Sequence, residues 1–218
     1  MFYFALQSTL IMENEKYIND IAEIKEMMHK SSRFISLSGL SGILAGIYAL
    51  IGASIAYTLL YKSVSITSDY KNLIISEDTS IKIVALSAIV LVLSIATGFI
   101  LSVNKAKKRH ENLWNSTSKR MVINFLIPLA TGGFFILVLI EKDFMSLVAP
   151  STLLFYGLAC VNASKYTLGD IRYLGITMIL IGLVSTWFLG YGLVFWALGF
   201  GVCHIIYGSL MYSKYDRK

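Results

Sequence analysis

The sequence predicts an all-α fold: a six-helix transmembrane bundle preceded by an amphipathic cytoplasmic helix. Of the 218 residues, 56% are hydrophobic and only 15% are charged. Soluble domains carry roughly 45–50% apolar residues and about 25% charged residues. Mean hydropathy is +0.68, and the apolar residues form long blocks without a charged residue near the middle. Such blocks exclude an ordinary soluble enzyme, a disordered chain, a disulfide scaffold and the alternating strands of a β-barrel.

The region before the first block divides at Met12. Residues 1–11 are apolar, too short to cross a membrane and without the cationic start of a signal peptide, so we expect the natural start at Met12. Residues 13–33 are predicted to be an amphipathic helix that lies on the bilayer surface, packs against the bundle, or docks to a partner or second copy. Its apolar stripe has spacings of four, three and four: Tyr17, Ile21, Ile24 and Met28.

Six hydrophobic segments follow, in a transmembrane domain predicted over residues 34–213. Each is close to the roughly 20 residues with which a helix crosses about 30 Å of hydrocarbon. We predict the spans at 35–60, 82–103, 121–140, 145–163, 172–190 and 192–212. An even number of spans places both chain ends on one side of the membrane.

The cationic residues predict which side that is. With both ends on the same side, 15 of the 19 Lys and Arg residues lie on that side. Such an excess is typical of cytoplasmic segments, which predicts a multi-pass membrane protein with cytoplasmic N- and C-termini. Residues 104–120 hold much of this charge, and we interpret them as a topology determinant lying against anionic lipid. They lack the interleaved aromatics of a nucleic-acid site, so no nucleic-acid partner is expected.

Small residues predict close packing of the first and last spans. Gly42 and Gly46 lie four apart in the first span, and Gly201 and Gly208 lie seven apart in the last. Small residues at such spacings let helix backbones approach closely in lipid. The pattern leaves open whether the partner helix belongs to the same chain or to a second copy in a homodimer.

The most informative polar residue is His204, near the middle of the last span, because ionisable residues at that depth are rare and often functional. It could be a neutral histidine bonded across helices, a proton-sensitive switch, a ligand-binding group, or a haem or metal ligand. The predicted spans contain no other His and no carboxylate, so we expect neither metal nor cofactor. Pro128 is expected to free a backbone carbonyl at similar depth. We hypothesise a polar ligand pocket open toward the cytoplasm, formed by His204, Tyr207, Asn124, Asn162, Ser38, Ser41 and Thr177.

Three segments resemble a family of small, uncharacterised polytopic inner-membrane proteins of Bacteroidota-type bacteria. They are EIKEMMHKSSRFISLSGLSGILAGIYALIGA, RYLGITMILIGL and WALGFGVCHIIYG. The resemblance covers most of residues 12–215 and implies a start near Met12. It also implies a regulatory setting, since genes of this group often stand beside a winged-helix regulator. It carries over no catalytic residue.

The sequence shows none of the common catalytic signatures, such as a carboxylate pair, a P-loop or a nucleophile elbow. We therefore predict a non-enzymatic sensor or accessory subunit that binds a small hydrophobic ligand or membrane lipid and a cytoplasmic protein partner. A small-solute transporter or channel is the alternative, although the outer halves of the spans offer only scattered Ser and Thr. A membrane enzyme with an unrecognised site is the third interpretation.

Overall fold

A computed structural model describes Tyr17, Ile18 and Ile21 together with residues 38–63, 77–108 and 114–217. Over these residues the chain is 91% helical and contains no strand, which confirms the all-α fold. Tyr17, Ile18 and Ile21 are helical and exposed. The rest of the predicted helix 13–33 lies outside the described residues, as do residues 1–11 and 109–113.

Six helices in the described part of the chain are long and apolar enough to cross a membrane. They are α1 (Gly39–Ser63), α2 (Glu77–Lys108), α3 (Ser116–Glu141), α4 (Met145–Ala163), α5 (Asp170–Trp187) and α6 (Gly192–Asp216). A single 3₁₀ turn, Ser164–Tyr166, leads from α4 toward α5. The prediction of a bundle of six membrane-spanning helices is thereby confirmed.

Two of the helix ends that differ from the predicted bounds lie at a charged pair and near a glycine. Helix α2 begins five residues before the predicted span, and an i,i+4 ion pair of 2.5 Å between Asp78 and Lys82 supports its first turns. Helix α5 ends at Trp187, three residues before the predicted end of the span at residue 190. There Gly190 has a φ of 101°, a left-handed conformation that glycine adopts without a Cβ penalty.

Helix α6 lies at the centre of the bundle, packed against α1, α4 and α5. Helices α2 and α3 lie at the two edges, where α2 packs on α1 and α3 packs on α4. The core consists of Leu153, Leu174 and Met178 from α4 and α5, covered by four side chains of α6: Phe195, Phe200, Cys203 and Tyr207. Both cysteines of the chain are free thiols.

Glycines bring α1 and α6 into backbone contact within one chain. A Cβ on Gly42 would lie 3.1 Å from the Cα of Gly208, and a Cβ on Gly46 would lie 2.7 Å from the carbonyl oxygen of Gly201. The small faces of the first and last spans therefore meet each other. A homodimer would have to use a different surface of the protein.

The start of α1 and the end of α6 lie at the same end of the bundle, since Gly39 and Asp216 share a hydrogen bond. Helix α2 ends there as well, because Lys105 forms an ion pair with Asp216. Helix α5 begins there, where Asp170 bonds Lys214. We call this the basal end.

Candidate functional site

The residues predicted to form one pocket have different hydrogen-bond partners in the structure. His204 bonds to α4, Asn124 and Asn162 join α3 to α4, and Ser38 bonds the end of α6. Thr177 donates to the carbonyl of Tyr173 in its own helix at 2.9 Å. Tyr207 packs on the apolar core. The polar groups inside the bundle thus form several small networks.

The first network is a buried chain of hydrogen bonds through His204, whose side chain is only 7% exposed. Its Nδ1 lies 3.2 Å from the carbonyl oxygen of Gly199, and its Nε2 lies 2.8 Å from the hydroxyl of Tyr156. A carbonyl can only accept, so Nδ1 carries the proton and donates. In the neutral ring Nε2 then accepts from the tyrosine O–H. Both ring nitrogens are therefore occupied within the protein.

The backbone of α6 explains how His204 reaches Gly199. Residues Ala197–Cys203 form a π-helical segment, and the N–H of His204 donates to Gly201. The carbonyl of Gly199, five residues before His204, is thereby left within reach of the imidazole Nδ1. The turns of a π-helix are wider than those of an α-helix. They occur mostly as short insertions in α-helices and often at functional sites. Here the segment orients the imidazole toward α4.

Aromatic rings surround the His204–Tyr156 pair. The ring of Phe200 stacks on His204 with centroids 5.8 Å apart, and Phe125 packs edge-on against Tyr156 at 5.9 Å. Cys160 lies one turn from Tyr156 with its thiol close to the hydroxyl. Tyr156 was not among the predicted site residues. A tyrosine far from the interfaces where such residues concentrate was the available signal.

The second network satisfies the carbonyl that Pro128 leaves without a donor. Proline has no N–H, so the carbonyl four residues earlier in α3, that of Asn124, receives no helical hydrogen bond. The side-chain amide of Asn162 on α4 donates to this oxygen at 2.8 Å. The side chain of Asn124 itself donates to the carbonyl of Arg120 at 2.8 Å. The structure therefore brings together the two predicted asparagines and the predicted proline.

A shallow groove of about 420 Å³ runs between α3 and α4 beside this network. Pro128 and Thr131 line it from α3, while Phe155, Leu158 and Asn162 line it from α4. Lys165, just beyond α4, lies at the basal end of the groove. The groove is thus apolar along most of its length and cationic at one end.

The third network, the Asp216 cluster, consists of Asp216, Ser38, Gly39 and Lys105. One carboxylate oxygen of Asp216 accepts from the N–H of Gly39 at 2.8 Å and from the hydroxyl of Ser38 at 3.2 Å. The other oxygen forms an ion pair with Lys105 of α2. The Asp216 and Lys105 side chains are only 10% and 12% exposed, so the end of α6 is bonded to both α1 and α2.

Neighbouring residues of α6 bond α5 at the same end. Asp170, the first residue of α5, accepts from Lys214 at 2.9 Å and from the hydroxyl of Tyr215 at 2.8 Å. Sequence reasoning missed Asp170 and Asp216, because acidic residues near span ends are usually solvated. An available signal was the spacing of Lys214, Tyr215 and Asp216, which point in different directions from one helical turn.

In the described ranges, no three His, Cys, Asp or Glu side chains converge as a metal site would require. Comparison with protein-family models, with curated proteins and with solved structures finds no match to this chain.

Proposed function

We propose that the protein is a non-enzymatic sensor or accessory subunit of the inner membrane, with both chain ends in the cytoplasm. In this role the last turn of α6 couples helix packing in the bilayer to the segment preceding α1. That segment in turn contacts a cytoplasmic protein partner. The observation that carries the proposal is the hydrogen bond from the N–H of Gly39 to Asp216.

This bond caps one helix with a residue from another. The first N–H groups of a helix have no intrahelical partner, and a carboxylate there is also favoured by the helix dipole. A side chain just before the helix normally provides such a cap. In α1 the carboxylate comes from a residue 177 positions away. This cap on α1 therefore exists only while α6 keeps its present position.

Helix α6 contacts three other helices, and movement of any of them would change its position. Its glycines contact α1, His204 bonds Tyr156 of α4, and Lys214 bonds Asp170 of α5. A lipid or small hydrophobic molecule that shifts any of these helices would change the geometry at Asp216. Helix packing that controls a cap at the membrane surface is what a sensor or accessory subunit requires.

The proposal is tested by photocrosslinking in membranes of the organism that makes the protein. A photoreactive residue at position 25 captures the partner in the wild-type chain, in Asp216→Ala and in the control Glu141→Ala. Glu141 is a 73% exposed acid at the opposite end of the bundle. We expect Asp216→Ala to change the yield of the adduct severalfold at equal protein abundance, and Glu141→Ala to leave it unchanged.

Deletion of residues 13–30 provides a second test of the same proposal. We expect the deletion to abolish the phenotype of the intact gene while the membrane domain is still made and inserted. If the deletion, Asp216→Ala and His204→Ala all leave both partner binding and phenotype unaltered, the proposed coupling is wrong.

A further inference from the structure

The groove between α3 and α4 has the length, polarity and charge of a site for one lipid molecule. We propose that it binds an anionic phospholipid of the basal leaflet, with an acyl chain between the two helices and the phosphate at Lys165. The site gives the proposed sensor its ligand class, and to that extent it rests on the proposed function.

The two walls of the groove are matching stripes. Phe155, Leu158 and Asn162 of α4 follow one another at spacings of three and four, so they share one helix face, and Lys165 of the 3₁₀ turn after α4 continues the same wall. On α3, Pro128 and Thr131 form the facing wall. The amide of Asn162 bonded to the Asn124 carbonyl holds the two helices together along the groove.

The groove is about as long as one leaflet of the hydrocarbon core is thick. Ten residues separate Phe155 from Lys165, which corresponds to about 15 Å along a helix. The hydrocarbon core of a bilayer is about 30 Å thick, so the groove reaches roughly to its middle. Its inner end is formed by Phe155, which packs so closely that a Cβ on Gly132 would lie 2.3 Å from the Phe155 Cβ. An acyl chain entering at the interface would therefore end near the bilayer centre.

Two cations stand at the open end. Lys165 lines the groove directly. Arg120 is eight residues before Pro128 on α3, which places it about two turns toward the basal end and roughly 80° around the helix. Among the residues that the structure describes, neither Lys165 nor Arg120 has an ion-pair partner. Ammonium and guanidinium groups at the headgroup level favour a phosphate.

Charge also distinguishes this occupant from the others. A neutral hydrophobic molecule would gain nothing from the two cations. A second copy of the chain packed through the same face would place Lys165 and Arg120 near their own counterparts, because a two-fold interface pairs identical patches. The net charge of +6 adds to that repulsion. An anionic lipid would neutralise the cations with its phosphate and fill the apolar part of the groove with an acyl chain.

The site is connected to the Asp216 cluster through a short segment. Lys165 is five residues before Asp170, which holds Lys214 and Tyr215 beside Asp216. A headgroup at Lys165 would therefore act on the connection that precedes α5. That connection is the path by which lipid binding would reach α6.

The experiment uses the full chain in nanodiscs containing phosphatidylglycerol with a photoreactive acyl chain. After irradiation, mass spectrometry locates the lipid on the protein. We expect adducts in the α3 and α4 residues that line the groove, and unlabelled phosphatidylglycerol should compete better than phosphatidylcholine. Lys165→Gln and Arg120→Gln should each weaken binding about fivefold. The control Lys142→Gln, an exposed cation at the opposite end of the bundle, should have no effect.

Three outcomes would overturn the proposal. Equal competition by phosphatidylcholine would show that the cations do not select the lipid. Adducts spread evenly over all lipid-facing helices would show that no site exists. Crosslinks from the groove to a second copy, or to residues 13–33, would assign it another occupant. None of the three readouts depends on the cytoplasmic partner, so the lipid site can stand or fall independently of the partner coupling tested above.

Discussion

Replacing Asn162 by leucine should destabilise the protein mainly because Pro128 is present. The amide of Asn162 is the donor to the Asn124 carbonyl, at 2.8 Å, and that carbonyl has no helical N–H available because residue 128 is proline. Hydrogen bonds between membrane helices average about 0.6 kcal/mol and reach about 1.7 kcal/mol. We expect Asn162→Leu to cost about 1.5 kcal/mol, near the upper limit, because the carbonyl is left without a partner in an apolar environment.

The coupling appears in a double-mutant cycle. Pro128→Ala supplies a backbone N–H that can bond the Asn124 carbonyl, so in that background Asn162→Leu should cost about 0.5 kcal/mol or less, a coupling of about 1 kcal/mol. The assay is the free energy of unfolding in mixed micelles, measured by steric trapping. Asn124→Leu serves as the control, since its side chain bonds its own helix at Arg120, and its cost should be equal in both backgrounds. An equal cost of Asn162→Leu with and without the proline would refute the reasoning.

Three further outcomes are expected from the same unfolding assay. Gly208→Val should destabilise the protein by about 3 kcal/mol or more by forcing α1 and α6 apart, since even a Cβ there would lie 2.5 Å from the α1 backbone. The control Gly98→Val should be nearly neutral, because a Cβ at Gly98 has nothing within 4 Å. Tyr156→Phe removes the donor to His204 and should cost about 1 kcal/mol; if it costs as much when His204 is also leucine, the hydrogen bond does not contribute. Lys105→Met removes the cation from a nearly buried ion pair and should cost about 3 kcal/mol; a loss below about 1 kcal/mol would show that water replaces the lysine.

The number and approximate position of the helices followed from local sequence patterns. Each span is an apolar block without central charge, and the backbone of such a block can satisfy its polar groups only as a helix. The carbonyl freed by Pro128 was also predictable, because the missing N–H is a local property of proline. That Asn162 would be its donor was not, since this depends on how α4 is rotated against α3.

The partners of the polar residues were harder to predict for the same reason. His204 stood out by its depth in the bilayer, yet nothing local showed that its ring would lie 2.8 Å from the Tyr156 hydroxyl. Asp216 resembled a solvated residue near a chain end, and only the meeting of three helix ends gives its carboxylate two hydrogen bonds and an ion pair. The expectation of a single pocket rested on similar depth in the bilayer, which does not specify how each helix is rotated about its own axis.

Composition over windows of about 20 residues therefore decided that this chain forms apolar helices, and charge at the window ends suggested their orientation. Which helices become neighbours was decided by the folded bundle. Lipid covers an apolar face as well as another helix does, so hydrophobicity does not choose a partner. The choice rests on close-packing residues such as Gly42 and Gly208 and on a few polar groups, whose effect depends on the rotation and order of whole helices.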